Sequence, residues 1–261
     1  MLDREAVHLL ILGGTAEAAA LAAAANNRFG ATLKITTSLA GITRAPRSVS
    51  GALRIGGFGG ASGLATWLQG NEVDLVVDAT HPFAIIISEN TIQACMSTNL
   101  PHLVYSRPSW EPKAGDRWRI VSDLDSAAAL LPEMAERVFL SLGSQRLEAF
   151  AGLKGVHLLV RMIDPPETPP PLVDYTVVLG RGPFGVEAEH DLLRRERIDT
   201  IVSRNSGGAA TYAKIEAARH LHLPVVMVAP PVWETDDRVE SLEGALRWIE
   251  AQIALRSLAG L

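Results

Sequence analysis

Three glycine-bearing stretches hold most of the residues that could do chemistry. The first, Gly13-Gly14-Thr15, stands between an apolar run, Val7 to Leu12, and an alanine-rich stretch, Ala16 to Ala25. Glycines at a strand end let backbone approach a phosphate, and a following helix offers unpaired amides and the positive end of its dipole. The spacing is not G-x-G-x-x-G, so an anion seat and a turn required only by the fold both stay open on these residues alone. Position favours the anion, because the loop after the first strand of an open α/β sheet is the usual seat of a dinucleotide pyrophosphate. Glu17 lies in the first turn of the expected helix.

The second strand ends at Thr36-Thr37-Ser38, followed by Gly41, Thr43 and Arg44. The acid that normally accepts from the ribose 2′-hydroxyl of NAD is absent there. Ser38 and Arg44 can instead donate to a 2′-phosphate, which leans toward NADPH, with an ordinary solvated loop as the alternative. Gly56-Gly57-Phe58-Gly59-Gly60 allows close backbone approach to a ligand or a merely flexible turn. Asp78-Ala79-Thr80-His81-Pro82-Phe83-Ala84 follows a wholly apolar strand, at the edge where ligands dock. His81 can donate a hydrogen bond or a proton near neutral pH. A capping network around Asp78 and Thr80 is the bland reading of the same residues.

Ser203-Arg204-Asn205-Ser206-Gly207-Gly208, followed by Thr211, Tyr212 and Lys214, repeats the grammar of strand, glycine loop and helix. It implies a second anion-binding edge. Lys214 falls in the first turn of its helix, where the dipole disfavours a cation, so it serves a ligand or a surface contact. No H-x-x-x-H pair occurs among the histidines, and no metal site is expected; G-x-S-x-G is absent, which excludes a serine hydrolase of that type.

The elements that must position these groups alternate between strand and helix, which predicts α/β architecture with parallel sheets. The pattern pauses between Arg107 and Arg119 and then resumes. That places a domain boundary at 112/113 and gives two Rossmann-like domains, 1–112 and 113–261, each a mainly parallel sheet flanked by helices, with a cleft between them. A chain of 261 residues is near the length at which one core gives way to two. Asp164 to Pro171, with five prolines in eight residues, reads as an extended connector. Cys95 is the only cysteine, so an internal disulfide is excluded. A net charge of −5 with scattered basic residues argues against nucleic acid, and the apolar runs are too short for a membrane span or a signal-peptide core. Cytoplasm is the expected address, and a monomer or weak homo-oligomer the expected state.

Taken in order, Ile11 to Ala18, Ser38 to Gly41 with Arg44, Gly56 to Gly59, Asp78 to Ala84, Ser106-Arg107-Pro108 with Trp110, and Ser203 to Gly208 with Thr211 and Lys214 resemble the precorrin-6A reductase and cobalt-precorrin-6A reductase family of corrin biosynthesis. The resemblance implies an oxidoreductase acting on a CH–CH group, in which NADPH reduces one double bond of a tetrapyrrole bearing several carboxylates. It implies that Gly13, Gly14 and Thr15 hold the pyrophosphate and Ser38 and Arg44 the adenosine end, with Glu17 and Gly57 also on the cofactor. Asp78, Thr80, His81, Pro82 and Phe83 would hold the nicotinamide end. Arg107, Ser203, Asn205, Ser206, Gly207, Gly208, Thr211 and Lys214 would face the substrate, with Lys214, His81, Tyr212 and bound water as alternative proton donors. The chain departs from the family pattern at Val226 to Pro231, where relatives usually carry Arg-Pro, and in the longer spacing from Gly41 to Arg44. The competing reading is a non-catalytic two-domain dinucleotide-binding sensor. A short-chain dehydrogenase would need Tyr-x-x-x-Lys, which is absent.

Overall fold

β1 (Val7–Leu12) is apolar but for the buried His8 because both of its faces are covered. Leu9 and Ile11 enter one cluster with Leu21, Ala22 and Ala25 of α1 (Ala16–Phe29). Leu10 and Leu12 enter another with Leu64 and Leu68 of α2 (Gly60–Gly70) and Ala94 and Cys95 of α3 (Ile85–Thr98). Alternate side chains of a strand point to opposite faces, so a strand between two helix layers reads as a nearly continuous apolar run, here Leu9 to Leu12. This computed structural model describes residues 6–40, 50–143, 146–231 and 237–259. The remaining strands of the first half are β2 (Leu33–Leu39), β3 (Ala52–Ile55), β4 (Leu75–Asp78) and β5 (His102–Tyr105).

The second half runs β6 (Arg117–Val121), α4 (Leu124–Met134), β7 (Arg137–Ser141), a 3-10 turn Leu147–Phe150, β8 (His157–Met162) and β9 (Tyr175–Leu179). It continues with α5 (Val186–Arg195), β10 (Thr200–Arg204), α6 (Ala213–His220) and β11 (Pro224–Val228), and the chain ends with β12 (Arg238–Val239) and α7 (Leu242–Ala259). Among the described residues the strands form two parallel sheets, ordered β12-β5-β4-β1-β2-β3 and β6-β11-β10-β7-β8-β9. Both orders obey one plan. Growth of the sheet reverses between β1 and β4 in the first and between β7 and β10 in the second, and such a reversal opens a crevice at the carboxyl ends of the strands. The duplication is carried by topology, with no matching repeat in the residues. No helix among the described residues is long and apolar enough to cross a membrane.

The two compact units comprise 1–107 with 231–261, and 108–230, which differs from the expected division at 112/113. The tail returns to the first unit because its apolar face completes that core. Val239 of β12 pairs with Tyr105 of β5, and Ala245, Leu246 and Ile249 of α7 pack with the α1 cluster. Arg28 of α1 bonds Glu243 and Glu250 of α7 at 3.2 and 2.8 Å. A strand-then-helix pattern at a chain end is the same whichever sheet receives it, so local periodicity could not assign it.

Candidate active site

At the reversal point of the first unit, the loop after β1 is stitched to both neighbouring strands. The amide of Gly13 donates to the Ser38 carbonyl at 2.9 Å. A Cβ at Gly13 would sit 3.1 Å from the Thr37 methyl, so this glycine serves close packing. Gly14 has φ +111° and open space where a side chain would be, a conformation that L-residues rarely adopt. Thr15 caps α1, its hydroxyl accepting from the Ala18 amide at 3.1 Å and donating to the Ala79 carbonyl at 2.7 Å. Arg54, at the end of β3, donates to the Ser38 hydroxyl at 3.1 Å and the Gly57 carbonyl at 2.8 Å, with its guanidinium 3.6 Å over the Phe58 ring. Partial burial lowers its proton affinity, yet an arginine starts so high that it stays cationic. Arg44 lies outside the described residues.

Asp78 is buried and saturated: Oδ1 accepts from the Thr80 amide and hydroxyl at 3.0 and 2.6 Å, and Oδ2 from the Ser88 hydroxyl at 2.6 Å. The capping network left open by the sequence is therefore what Asp78 and Thr80 form, and these two brace the loop instead of presenting free polar atoms to a ligand. His81, Pro82 and Phe83 are half-buried at its tip. The Phe83 amide donates to His81 Nδ1 at 3.2 Å, which leaves the proton of a neutral ring on Nε2. Glu17 and Arg107, expected on cofactor and substrate, face each other at 2.9 Å. The pair neutralises an acid that would otherwise stand beside the glycine loop.

In the second unit, Asn205 is turned toward the protein. Its Oδ1 accepts from the Trp110 amide at 2.7 Å and its Nδ2 donates to the Trp110 carbonyl at 2.8 Å, while the Trp110 indole donates to the Gly208 carbonyl at 2.7 Å. Gly207 and Gly208 have φ +64° and +72°, which is why glycine stands there. Ser203 and Ser206 are buried, and the Ser203 hydroxyl donates to the Arg204 carbonyl at 3.2 Å. Lys214 is buried, donating to the Thr211 carbonyl at 2.7 Å with its ammonium 5.1 Å over the Trp110 ring. Lys214 and Thr211 line a cavity of about 200 Å³ at the carboxyl ends of β7, β8 and β9. Tyr212 is not brought to that cavity; its hydroxyl accepts from Arg219 at 2.7 Å, and Arg219 is in turn fixed by Asp116 at 2.9 Å.

A family model described as precorrin-6x reductase CbiJ/CobK matches residues 8–250. The chain belongs to the CbiJ/CobK family. A precorrin-6A reductase of Rhodococcus erythropolis is 46% identical over 242 residues, covering 92% of this chain and 96% of the relative. One from Rhodobacter capsulatus is 44% identical, covering 92% and 95%. The solved structure of a CobK precorrin-6A reductase superposes with a TM-score of 0.87 at 42% identity, covering 94% of this chain and 97% of that one. Its two parallel sheets with flanking helices are thus the CobK architecture.

In this CbiJ/CobK chain, the residue-type reading missed Arg54 and the pair Arg161–Glu189. Arg161, at the end of β8, donates to Glu189 of α5 through both terminal nitrogens, at 2.6 and 2.8 Å. One signal was available: Glu189 falls three residues after Val186 and four before Leu193, on the apolar stripe of α5, where a carboxylate needs a cation.

Proposed function

We propose that the chain uses NADPH to reduce one carbon–carbon double bond of a precorrin-6A-type tetrapyrrole, adding hydride to one carbon and a proton to its neighbour. The observation that carries this reading is the reversal-point edge between β1 and β4, in a chain whose family match spans residues 8–250. The residues there fit a diphosphate. Open space lies at Gly14, the first-turn amides of α1 have no intrahelical acceptor, and Arg107 neutralises Glu17.

Gly13, Gly14 and Thr15 would hold the diphosphate, and Ser38 with Arg44 the 2′-phosphate, with Arg54 bracing Ser38 from beneath. His81, Pro82 and Phe83 would position the nicotinamide end, on a loop that Asp78 holds rigid. The reduced nicotinamide, when bound, supplies the hydride, so the protein need only align donor and acceptor and hold a proton at the receiving carbon. Lys214 is assigned that proton because, of the two cations that line the cavity, Arg161 and Lys214, only an ammonium gives up its proton readily. Tyr212 is withdrawn from the role because it does not line the cavity.

The test is anaerobic incubation of the purified chain with precorrin-6A and NADPH, following both the ultraviolet absorbance of the cofactor and the spectrum of the ring. Stoichiometric loss of NADPH with a change in the ring is the expected result. Binding of NADPH without oxidation would make the chain a sensor.

A further inference from the structure

We propose that the cavity at the carboxyl ends of β7, β8 and β9 receives one carboxylate arm of the ring substrate, and that Arg161 is the residue that grips it. The proposal rests on the reductase reading above and adds a subsite to it. Whole small-molecule ligands occupy pockets of about 300–1,000 Å³. At about 200 Å³ this cavity suits an arm and is too small for a ring or a nucleotide.

Arg161 is held as a positioned donor. Glu189, 3% exposed, takes one edge of the guanidinium fork, and the Phe184 and Phe139 rings lie 3.9 and 4.9 Å from its carbon. Two of its N–H groups serve Glu189, and the others lie in the same plane, which is the geometry that pairs with a carboxylate. Burying an ion pair costs desolvation that its own attraction roughly repays, so the pair is poor evidence of a purely stabilising role. What distinguishes it is its place in the lining of the same cavity as Lys214.

The charge of this edge points the same way. Arg204 ends β10, and burial foremost, with the charge of Arg146 adding to it, lowers its proton affinity; two further cations are thus held near each other at the reversal point. Among the described residues Glu189 is the one acid in the cavity lining and is already neutralised, in a chain whose net charge is −5. A carboxylate fits better than a phosphate. Met162, Ile163 and Phe184 supply apolar wall for a methylene stem, and the Glu189 carboxylate behind the fork disfavours a dianion.

The experiment compares wild type with Arg161→Gln, Arg161→Lys and Ala213→Leu, the last narrowing the cavity from a helix residue without touching the ion pair. KM for the free-acid ring should rise roughly 30-fold in Arg161→Gln, as for loss of a desolvated charge contact, with a smaller change in kcat and an NADPH Kd within about twofold. Arg161→Lys and Ala213→Leu should raise KM in the same direction, and a ring with esterified arms should bind wild type and Arg161→Gln equally weakly. If Arg161→Gln does not fold by circular dichroism, the other two variants carry the test. Unchanged KM in the folded variants overturns the proposal, and so does a loss confined to NADPH, which would make the cavity a phosphate site. Should wild type fail to oxidise NADPH, the reductase reading fails by itself. Calorimetric titration of the free-acid ring into the same proteins then decides the subsite without turnover.

Discussion

The hydroxyl of Thr15 accepts from the Ala18 amide at 3.1 Å and donates to the Ala79 carbonyl at 2.7 Å, so one side chain caps α1 and ties the loop after β1 to the loop after β4. Valine has nearly the same shape and can do neither. Thr15→Val is expected to lower stability by about 1–2 kcal/mol in urea unfolding, the range for losing a cap. It should also weaken NADPH by roughly tenfold through the disordered glycine loop, and Thr15→Ser should recover both. An NADPH Kd indifferent to valine would detach this loop from the nucleotide.

Arg44→Ala addresses cofactor choice. A guanidinium on a 2′-phosphate contributes a charged hydrogen bond that NADH cannot make, so the NADPH Kd should rise about 10–100-fold while that of NADH barely moves. Equal losses for the two nucleotides would remove the 2′-phosphate assignment from this arginine.

Lys214→Met keeps an unbranched apolar stem and removes the ammonium that lies over Trp110. Turnover should fall about 100-fold, the scale of a positioned proton donor, with NADPH binding unchanged. Tyr212→Phe should leave turnover near wild type, since Tyr212 does not line the cavity that Lys214 lines. Single-turnover rates separate chemistry from release; full activity in Lys214→Met would make the lysine a structural cation.

Much of this architecture was legible because its signals are local. The span Val186–Arg195 reads as a helix with the bounds it has in α5, and the glycine punctuation at Gly13–Gly14 and Gly207–Gly208 marks both sheet edges. Strands β3, β6 and β12 were invisible because each is a short, largely exposed edge strand without an apolar run. Gln145 to Phe150 reads as a helix, but among the described residues it holds only one 3-10 turn, Leu147–Phe150. The site divides the same way. Asp78 has the residue type of a ligand group, yet its carboxylate is consumed by Thr80 and Ser88, and only three-dimensional accounting reveals that. Arg161 and Glu189 are 28 positions apart across a proline-rich connector, beyond the reach of any periodicity.

Asn205 was read as a substrate contact, and the structure gives it a different task. Its amide makes a two-way bridge to the Trp110 backbone, in a part of the chain with no sheet partner for those groups. Asn205→Ala should therefore destabilise the second unit by about 2–4 kcal/mol, the cost of leaving a buried amide and carbonyl unsatisfied. Asn205→Asp should cost as much, because a carboxylate cannot donate to the Trp110 carbonyl. Urea unfolding followed by tryptophan fluorescence reads the loss; a change below about 0.5 kcal/mol, the level of an ordinary surface substitution, would return Asn205 to the substrate.

His8 gives the fold a pH dependence of calculable sign. Its side chain is 4% exposed on β1, with Nδ1 2.9 Å from the Asn71 carbonyl and Nε2 2.8 Å from the Thr36 hydroxyl. A carbonyl only accepts, so Nδ1 carries the proton and Nε2 accepts from Thr36 in the neutral ring. Burial foremost, aided by the charge of Lys34, holds its pKa below the ordinary 6.5, against the opposing pull of the Asn71 carbonyl and Asp74. Burial lowers His102 in the same way. Below pH 6.5 the unfolded chain takes up protons that the folded chain refuses, so stability is whole above that pH. It declines as the pH drops further and levels off only beneath the depressed pKa of the folded state. Urea midpoints of wild type should thus fall across the window just under pH 6.5, before most carboxylates begin to titrate. His8→Gln, less stable at neutral pH, should show a shallower fall there. Parallel curves for the two proteins through that window would show that the ring on β1 is not what senses acid.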